Sequence, residues 1–460
     1  MSLPERRPSD ELATAGQQPI HGRGREFEHD VLRRVTRRLV PFLCLIYFAN
    51  FLDRVNVGFA ALAMNQQLGL TATMFGFGTG VFFFGYVLFE IPSNLALRRF
   101  GARRWLARIM ITWGLISGAT AFAWNDWSFY TIRFLLGAAE AGFLPGVVLY
   151  MTYWIPTAHR ARILGLFMVA IALSGLIGAP LSGLLFKLDG IGGLAGWQWM
   201  FLIEAAPAVL LGFVTLGYLT DRPSEANWLS VEERAWLQAK MDREETERAS
   251  GFPSSLGRTM RSPKVWALGL VNFGLLVGLY TINFWMPQIV KGLGVSNTMS
   301  IGFITALPAL AGAIGMIFWT RHSDRSGERT WHLVGSILVG VTGFTAVSLT
   351  TDPVLSVTFL VLASLGIHSA LPLFWTLPTA FLSGVGSAAG LALINSISNL
   401  GGYVGPQLMG YIKDQTTSFA PAFAMIAMLL VFTAGVVLAI HATSRVQLKT
   451  LDRRPEVSRI

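Results

Sequence analysis

The chain has 460 residues, of which 53 % are hydrophobic and only 13 % charged. An ordinary soluble domain carries about 25 % charged residues, so composition excludes a disordered chain, a collagen and, with Cys44 as the single cysteine, a secreted disulfide scaffold, and leaves no room for a large soluble domain. The net charge is +10, but the positive residues sit in loops between apolar runs, which points to membrane topology and away from nucleic acid.

The first 38 residues are charged and lack the apolar core of a cleaved signal peptide. Twelve apolar runs then follow, at 39–64, 73–97, 105–123, 127–152, 161–186, 197–219, 264–290, 299–320, 332–350, 354–379, 386–412 and 419–443. Each is long enough to cross a bilayer as a helix. The expected fold is therefore an all-α membrane protein with twelve transmembrane helices in two six-helix bundles. Glycine pairs such as Gly76/Gly80 and Gly142/Gly146 predict close helix contacts.

Charge sets the orientation. With the N-terminus inside, the cytoplasmic segments hold 31 of the 36 Lys and Arg residues, as the positive-inside rule requires. The outside loops hold Lys187, Lys291 and Lys413, and two arginines, Arg54 and Arg133, lie within spans. Both termini are expected in the cytoplasm of a cell whose inner membrane the protein spans.

One long polar segment separates spans 6 and 7. It contains a helical stretch after Ser230, where Ser230 and Glu233 form a capping-box pattern, and Trp236 and Leu237 are expected to pack this helix on the inner face. The expected layout is a cytoplasmic N-tail (1–38), a first bundle (39–219), a linker (220–263), a second bundle (264–444) and a cytoplasmic C-tail (445–460). A 6+6 plan of this kind belongs to rocker-type transporters. A short repeat agrees: the basic turn Arg99-Phe100-Gly101-Ala102-Arg103 after span 2 matches Asp324-Arg325-Ser326-Gly327-Glu328-Arg329 after span 8.

A charge near the bilayer centre is costly and usually carries function. The first half places Asp53 and Arg54 in span 1, Glu90 in span 2, Arg133 and Glu140 in span 4 and Glu204 in span 6. The second half has only neutral polar groups at depth, among them Tyr280, Asn283, Trp285, His368, Trp375, Asn395, Ser398 and Asn399. Arg133 and Glu140 are seven residues apart and share a helix face. By rise per residue, Glu140 lies roughly 20 Å and Arg133 roughly 9 Å from the outer end of span 4, and Asp53 roughly 20 Å from the inner end of span 1. Arginine grips carboxylates bidentately, and an acid in a low-dielectric site favours its neutral form. Together these groups point to an organic anion bound with protons. Asp53–Arg54 and Arg133–Glu140 are also read as structural ion pairs, Glu90 and Glu204 as structural or gating groups, and His368 as a hydrogen-bonded packing residue.

At these residues the sequence resembles the anion:cation symporter family of the major facilitator superfamily, closest to its tartrate-transporter-like bacterial branch. The resemblance is carried by FANFLDRVNVGFA (48–60), EIPSNLALRRFGARRW (90–105), RFLLGAAEAGFLPG (133–146), TDRPSEANWLSVEER (220–234) and NSISNLGGYVGP (395–406). It implies a proton-coupled importer of organic anions, with Asp53 and Glu140 as proton-linked positions. Arg54 would meet the substrate carboxylate, and Arg133 would belong to the same network. Trp375 and Asn395 would line the site, which Tyr280, Asn283 and Asn399 are expected to share. Arg99, Arg103, Asp324, Arg325 and Arg329 are assigned to gating. Two departures stand out. Arg98 occupies the place where the superfamily loop expects Asp. Residues 166–175 lack the Gln that sugar-acid carriers use, which favours a smaller or more apolar carboxylate.

The expected partners are a small organic carboxylate (tartrate-like, aromatic or a sugar acid), protons and the lipid bilayer, with no nucleic acid, cofactor or metal, for a chain acting as a monomer. The alternative is an organic anion exchanger or facilitator without proton coupling. A membrane enzyme is disfavoured because the chain has no Gly-x-Ser-Gly run, no His-Glu-x-x-His helix and no Cys/His cluster.

Overall fold

The structure is a computed structural model that describes residues 20–249, 261–381 and 386–452. The first half contains α1 (Ile20–Leu68), α2 (Ala72–Phe100), α3 (Ala102–Ala119), α4 (Asp126–Glu140), α5 (Phe143–Trp154), α6 (Thr157–Leu185) and α7 (Gly196–Tyr218). After the helix α8 (Val231–Ala249), the second half contains α9 (Pro263–Gly292), α10 (Thr298–Ser326), α11 (Thr330–Ser348), α12 (Pro353–Phe381), α13 (Gly386–Asn399), α14 (Gly401–Thr416) and α15 (Ala420–Asp452). Because α4 runs on into α5 and α13 into α14, these helices form twelve rods, and every described element is helical. Among the described residues, ten rods are found long and apolar enough by themselves to cross a membrane. The other two are α6 and the α13–α14 rod, which carries the polar run Asn395-Ser396-Ile397-Ser398-Asn399.

Caps fix the helix starts. Thr71 accepts from Met74 N at 3.2 Å, Asn125 from Ser128 N at 2.8 Å and Asn297 from Met299 N at 2.9 Å, each satisfying an orphan donor of a first turn. The two basic turns of the internal repeat each pivot on a glycine with positive φ, Gly101 and Gly327. The expected capping box also forms: Ser230 N donates to Glu233 at 2.8 Å, and Glu233 N to Ser230 Oγ at 3.2 Å. The helix it starts, α8, docks on the N-terminal extension of α1. There Trp236 meets Phe27 edge-on, Arg34 pairs with Glu233 at 2.9 Å and Lys240 pairs with Glu28.

Within the first half, α1 packs on α6 and α7, α2 on α4, and α3 on α7. In the second half, α9 packs on α12, α13, α14 and α15, and α12 on α10 and α11. The halves meet along α2–α14, α6–α10 and α1–α9. The face bearing α8 is called here the linker face, and the opposite one the far face.

On the far face the halves are sealed. A Cβ on Gly76 would lie 2.5 Å from the Pro406 carbonyl oxygen, and one on Gly58 2.8 Å from that of Phe284, so these backbones touch because no side chain separates them. Lys291 Nζ donates to Leu62 O at 2.8 Å, and Thr298 Oγ1 to Gly183 O at 3.3 Å. Asp414 accepts from Ala72 N at 3.1 Å and Thr73 N at 2.7 Å, at the start of α2. Partial burial alone would raise the Asp414 carboxyl, but the hydrogen bonds from Thr73, Thr71 and Ala72 outweigh it and hold it below the ordinary Asp range. A depressed acid stabilises the closed face above its ordinary range and loses that effect only as pH falls through the depressed value.

The span predicted at 127–152 is broken at Ala141–Gly142, with Gly142 at φ 81°. The pair Gly142/Gly146 is thus not one helix face: Gly142 is a turn residue beside Ser93, while Gly146 faces Leu97 and Leu106.

Two predictions follow from this packing. Asp414→Ala should speed thiol labelling of Met74→Cys (in a Cys44→Ser background) several-fold, whereas labelling of the same reporter with Asp414 intact, corrected for thiol ionisation, should stay flat from about pH 5 to about pH 8. Gly142→Ala should lose about 1–3 kcal/mol, seen as a lower Tm in detergent.

Candidate functional site

Neighbouring residues on a helix point about 100° apart, and α1 uses this to send Asp53 and Arg54 to different places. Asp53 turns into the first half. Its Oδ2 accepts from Trp113 Nε1 at 2.7 Å and its Oδ1 from Ser117 Oγ at 3.1 Å, both on α3. Arg54 turns toward the second half. Its Nη1 donates to the Tyr280 hydroxyl on α9 at 3.1 Å, and its Nη2 forms an ion pair with Glu140. Three aromatic rings surround the guanidinium, Phe51 and Phe82 at 5.2 Å and Tyr86 at 5.5 Å from its central carbon. These rings replace part of the lost hydration by cation–π attraction.

Arg133 is 1 % exposed. Its guanidinium lies 5.1 Å from the same Phe82 ring and within electrostatic reach of Asp53 and Arg54. Among the described residues its Nε and Nη2 have no hydrogen-bond partner.

This pairing corrects both ion pairs suggested by the sequence. Glu140 binds Arg54, and Arg133 does not reach it. Seven residues of helix separate Arg133 and Glu140 by roughly 10 Å along the axis, beyond ion-pair range even on one face. Glu140 is the last residue of α4, where a carboxylate opposes the helix dipole and needs a cation. The turn at Ala141–Gly142 leaves it facing Arg54.

The neutral candidates of the second half spread over several places. Tyr280 joins the centre through Arg54 and lies 4.6 Å, ring to ring, from Phe83. Asn283 lines a small far-face cavity between the halves with Asn56, Ser182 and Thr305. Trp375 packs edge-on against Phe374. Asn395 donates from Nδ2 to Glu90 Oε1 at 2.7 Å, and Asn399 is buried. His368 is hydrogen-bonded to Ser364 and packs beside Gly312.

None of the contacts described for the gating candidates joins one half to the other. Arg103 N donates to Asp221 at 2.8 Å, Arg329 pairs with Asp324 at 2.7 Å and Arg99 lies over Phe100, and Arg325 falls in the last turn of α10. Asp221 thereby caps α3 beside the turn where the superfamily loop Asp is missing. Several partners were not legible from spacing: Trp113 and Ser117 on Asp53, Asn395 on Glu90, and Ser182, which donates to Glu204 at 2.8 Å. Their separations in sequence run from 22 to 305 residues, so no local pattern signals them.

Two six-helix halves, a sealed far face and an internal ion pair tied to both halves define a membrane transporter of the rocker type. The chain belongs to the Major Facilitator Superfamily, whose family model matches residues 43–406. It is 51 % identical over 419 residues to a protein of Agrobacterium vitis named "Putative tartrate transporter", covering 91 % of this chain and 96 % of that one. It is 43 % identical over 411 residues to a protein of Pseudomonas putida named "Putative metabolite transport protein NicT", with 89 % and 94 % covered. In fold it is similar to the xylose transporter XylE of E. coli in a partially occluded inward-open conformation, with a TM-score of 0.71, 13 % identity and 87 % and 96 % of the two chains covered. These relatives place the chain in a tartrate-transporter-like branch, and it is a transport protein rather than an enzyme.

Breaking a buried ion pair on one side leaves an uncompensated charge and costs about 3–5 kcal/mol. Arg54→Met should therefore destabilise the protein strongly, and Arg54→Met with Glu140→Gln should recover most of the loss. Thermal unfolding in detergent checks this, and additive losses would show that the two residues do not act as a pair.

Proposed function

We propose that the protein imports a small organic carboxylate together with protons across the bacterial inner membrane, with the linker face and both termini in the cytoplasm. The observation that carries this reading is the occupancy of Arg54. Its guanidinium is the natural partner for a substrate carboxylate, and Glu140 already holds it. Substrate and Glu140 compete for one cation. A proton on Glu140 neutralises the competitor and leaves Arg54 to the anion, so proton and anion are taken up together. Arg133, buried with two donors that have no partner among the described residues, raises the positive potential of the same region.

Asp53 lies on the other side of this centre, within reach of Arg133. Its protonation would change the field on both arginines and tie the first half's interior to the same step. Tyr280 carries the event to the second half through Arg54. Trp375, Asn395, Asn399 and Asn283 would complete the site as the halves rock. The basic turns (Arg99, Arg103, Asp324, Arg325, Arg329) would regulate the linker face. The names of the Agrobacterium relatives favour a tartrate-like acid, and the apolar stretch at 166–175 agrees with a small substrate. The reading needs no cofactor and one chain.

Proteoliposomes offered a panel of carboxylates, with and without an inward proton gradient, test this directly. Gradient-driven accumulation of one acid supports symport. Exchange that ignores the gradient would make the protein an exchanger. In this assay Glu140→Gln should abolish uphill uptake while retaining counterflow. Arg54→Ala should abolish both and lose about 1.5–3 kcal/mol of binding. Unchanged binding in Arg54→Ala would overturn its assignment.

A further inference from the structure

Glu90 lies on the face of α2 that carries Tyr86, one helical turn away. The Tyr86 ring lies 5.5 Å from the Arg54 guanidinium carbon, so Glu90 sits one turn beyond the central ion pair, toward the linker face. It is 4 % exposed. Its Oε1 accepts from Asn395 Nδ2 at 2.7 Å, and Ser396 faces the same carboxylate. Both partners belong to α13, in the other half. Among the described hydrogen bonds between the halves, those at Lys291, Thr298 and Asp414 lie on the far face and that at Arg54 at the centre. Glu90–Asn395 is the one on the linker side of the centre.

The surroundings leave this carboxylate without a counter-ion. Tyr86 is the titratable group facing it on α2. Arg54 and Glu140 lie beyond Tyr86 and neutralise each other, Tyr280 is bonded to Arg54, and Arg133 lies against Phe82. The groups that α13 presents are uncharged. On their side α3 and α5 meet α2 further toward the linker face, at Ser93, through Trp105 and Gly142. Among the described residues no cation forms an ion pair with Glu90.

We propose that Glu90 is a second placeholder carboxylate, which occupies Asn395 as Glu140 occupies Arg54, and that a substrate carboxylate reaches Asn395 only with Glu90 protonated. This rests on the proton-coupled reading above and deepens it in two ways. Two internal carboxylates on two donors fit a substrate with two carboxylates, one for Arg54 and one for Asn395. Each placeholder also takes up one proton when displaced, so Glu90 adds one further proton to each binding event. The physical reason is repulsion: an anion beside an ionised Glu90 in a low-dielectric site is strongly disfavoured, whereas the neutral acid can share Asn395.

The test is the binding of radiolabelled tartrate to purified protein as a function of pH. Each linked proton makes affinity fall tenfold per pH unit above the titration of its acid. Glu90→Gln keeps the size and the acceptor for Asn395 but cannot ionise. It should lower the slope of log Kd against pH by about one relative to wild type, and Glu140→Gln should lower it by about one as well. Succinate and its monoamide, run in parallel, should differ in wild type and converge in Asn395→Ala. A Glu90→Gln slope equal to wild type overturns the proposal while leaving proton coupling through Glu140 standing. Wild-type tartrate binding that is flat with pH, or absent, overturns both.

Discussion

The ion pair between Arg54 and Glu140 is the interaction on which the rest of the structure turns. Two charges in a membrane interior are costly to desolvate, and the fold surrounds them with devices that make the cost bearable. The rings of Phe51, Phe82 and Tyr86 pack around the guanidinium, and the Tyr280 hydroxyl takes one of its donors. The pair joins α1 to the end of α4 and, through Tyr280, both to α9. A ligand or proton that disturbs it therefore acts on the contact between the halves.

Backbone geometry delivers this arrangement. The break at Ala141–Gly142 ends α4 at Glu140 and points that carboxylate at Arg54. Without it, α4 and α5 would be one helix, and the segment after Glu140 would be displaced from Ser93 of α2. On the far face, glycine contacts bring α2 onto α14 and α1 onto α9, and Asp414 pins the start of α2. The seal on that face combines backbone contacts and short polar tethers with aromatic contacts between the halves, Phe75 on Trp285 and Phe77 on Tyr403.

Much of the fold is legible in the sequence because a bilayer imposes a long apolar run on each crossing helix, and the predicted runs match the observed rods to within a few residues at most ends. The capping box at Ser230–Glu233 and the duplicated basic turns are local patterns and appear as expected. The membrane charges are equally visible, since nothing but function or pairing keeps Arg54 or Glu140 in an apolar run. Their partners are another matter. Adjacent residues Asp53 and Arg54 diverge, Arg133 and Glu140 on one face lie too far apart, and Glu90 finds Asn395 305 residues away. Pairing depends on how helices cross, which is set by glycine contacts and kinks. The break at Gly142 also lies inside a continuous apolar run and leaves no mark in hydropathy.

The central claim is that substrate and Glu140 exchange places on Arg54 with uptake of a proton. Infrared difference spectroscopy on the purified protein reads this step itself. Addition of tartrate at neutral pH should produce a carbonyl band of a neutral carboxyl group that disappears in Glu140→Gln. A substrate-bound protein with no such band, or with a neutral-carboxyl intensity that Glu140→Gln leaves undiminished, would contradict the account.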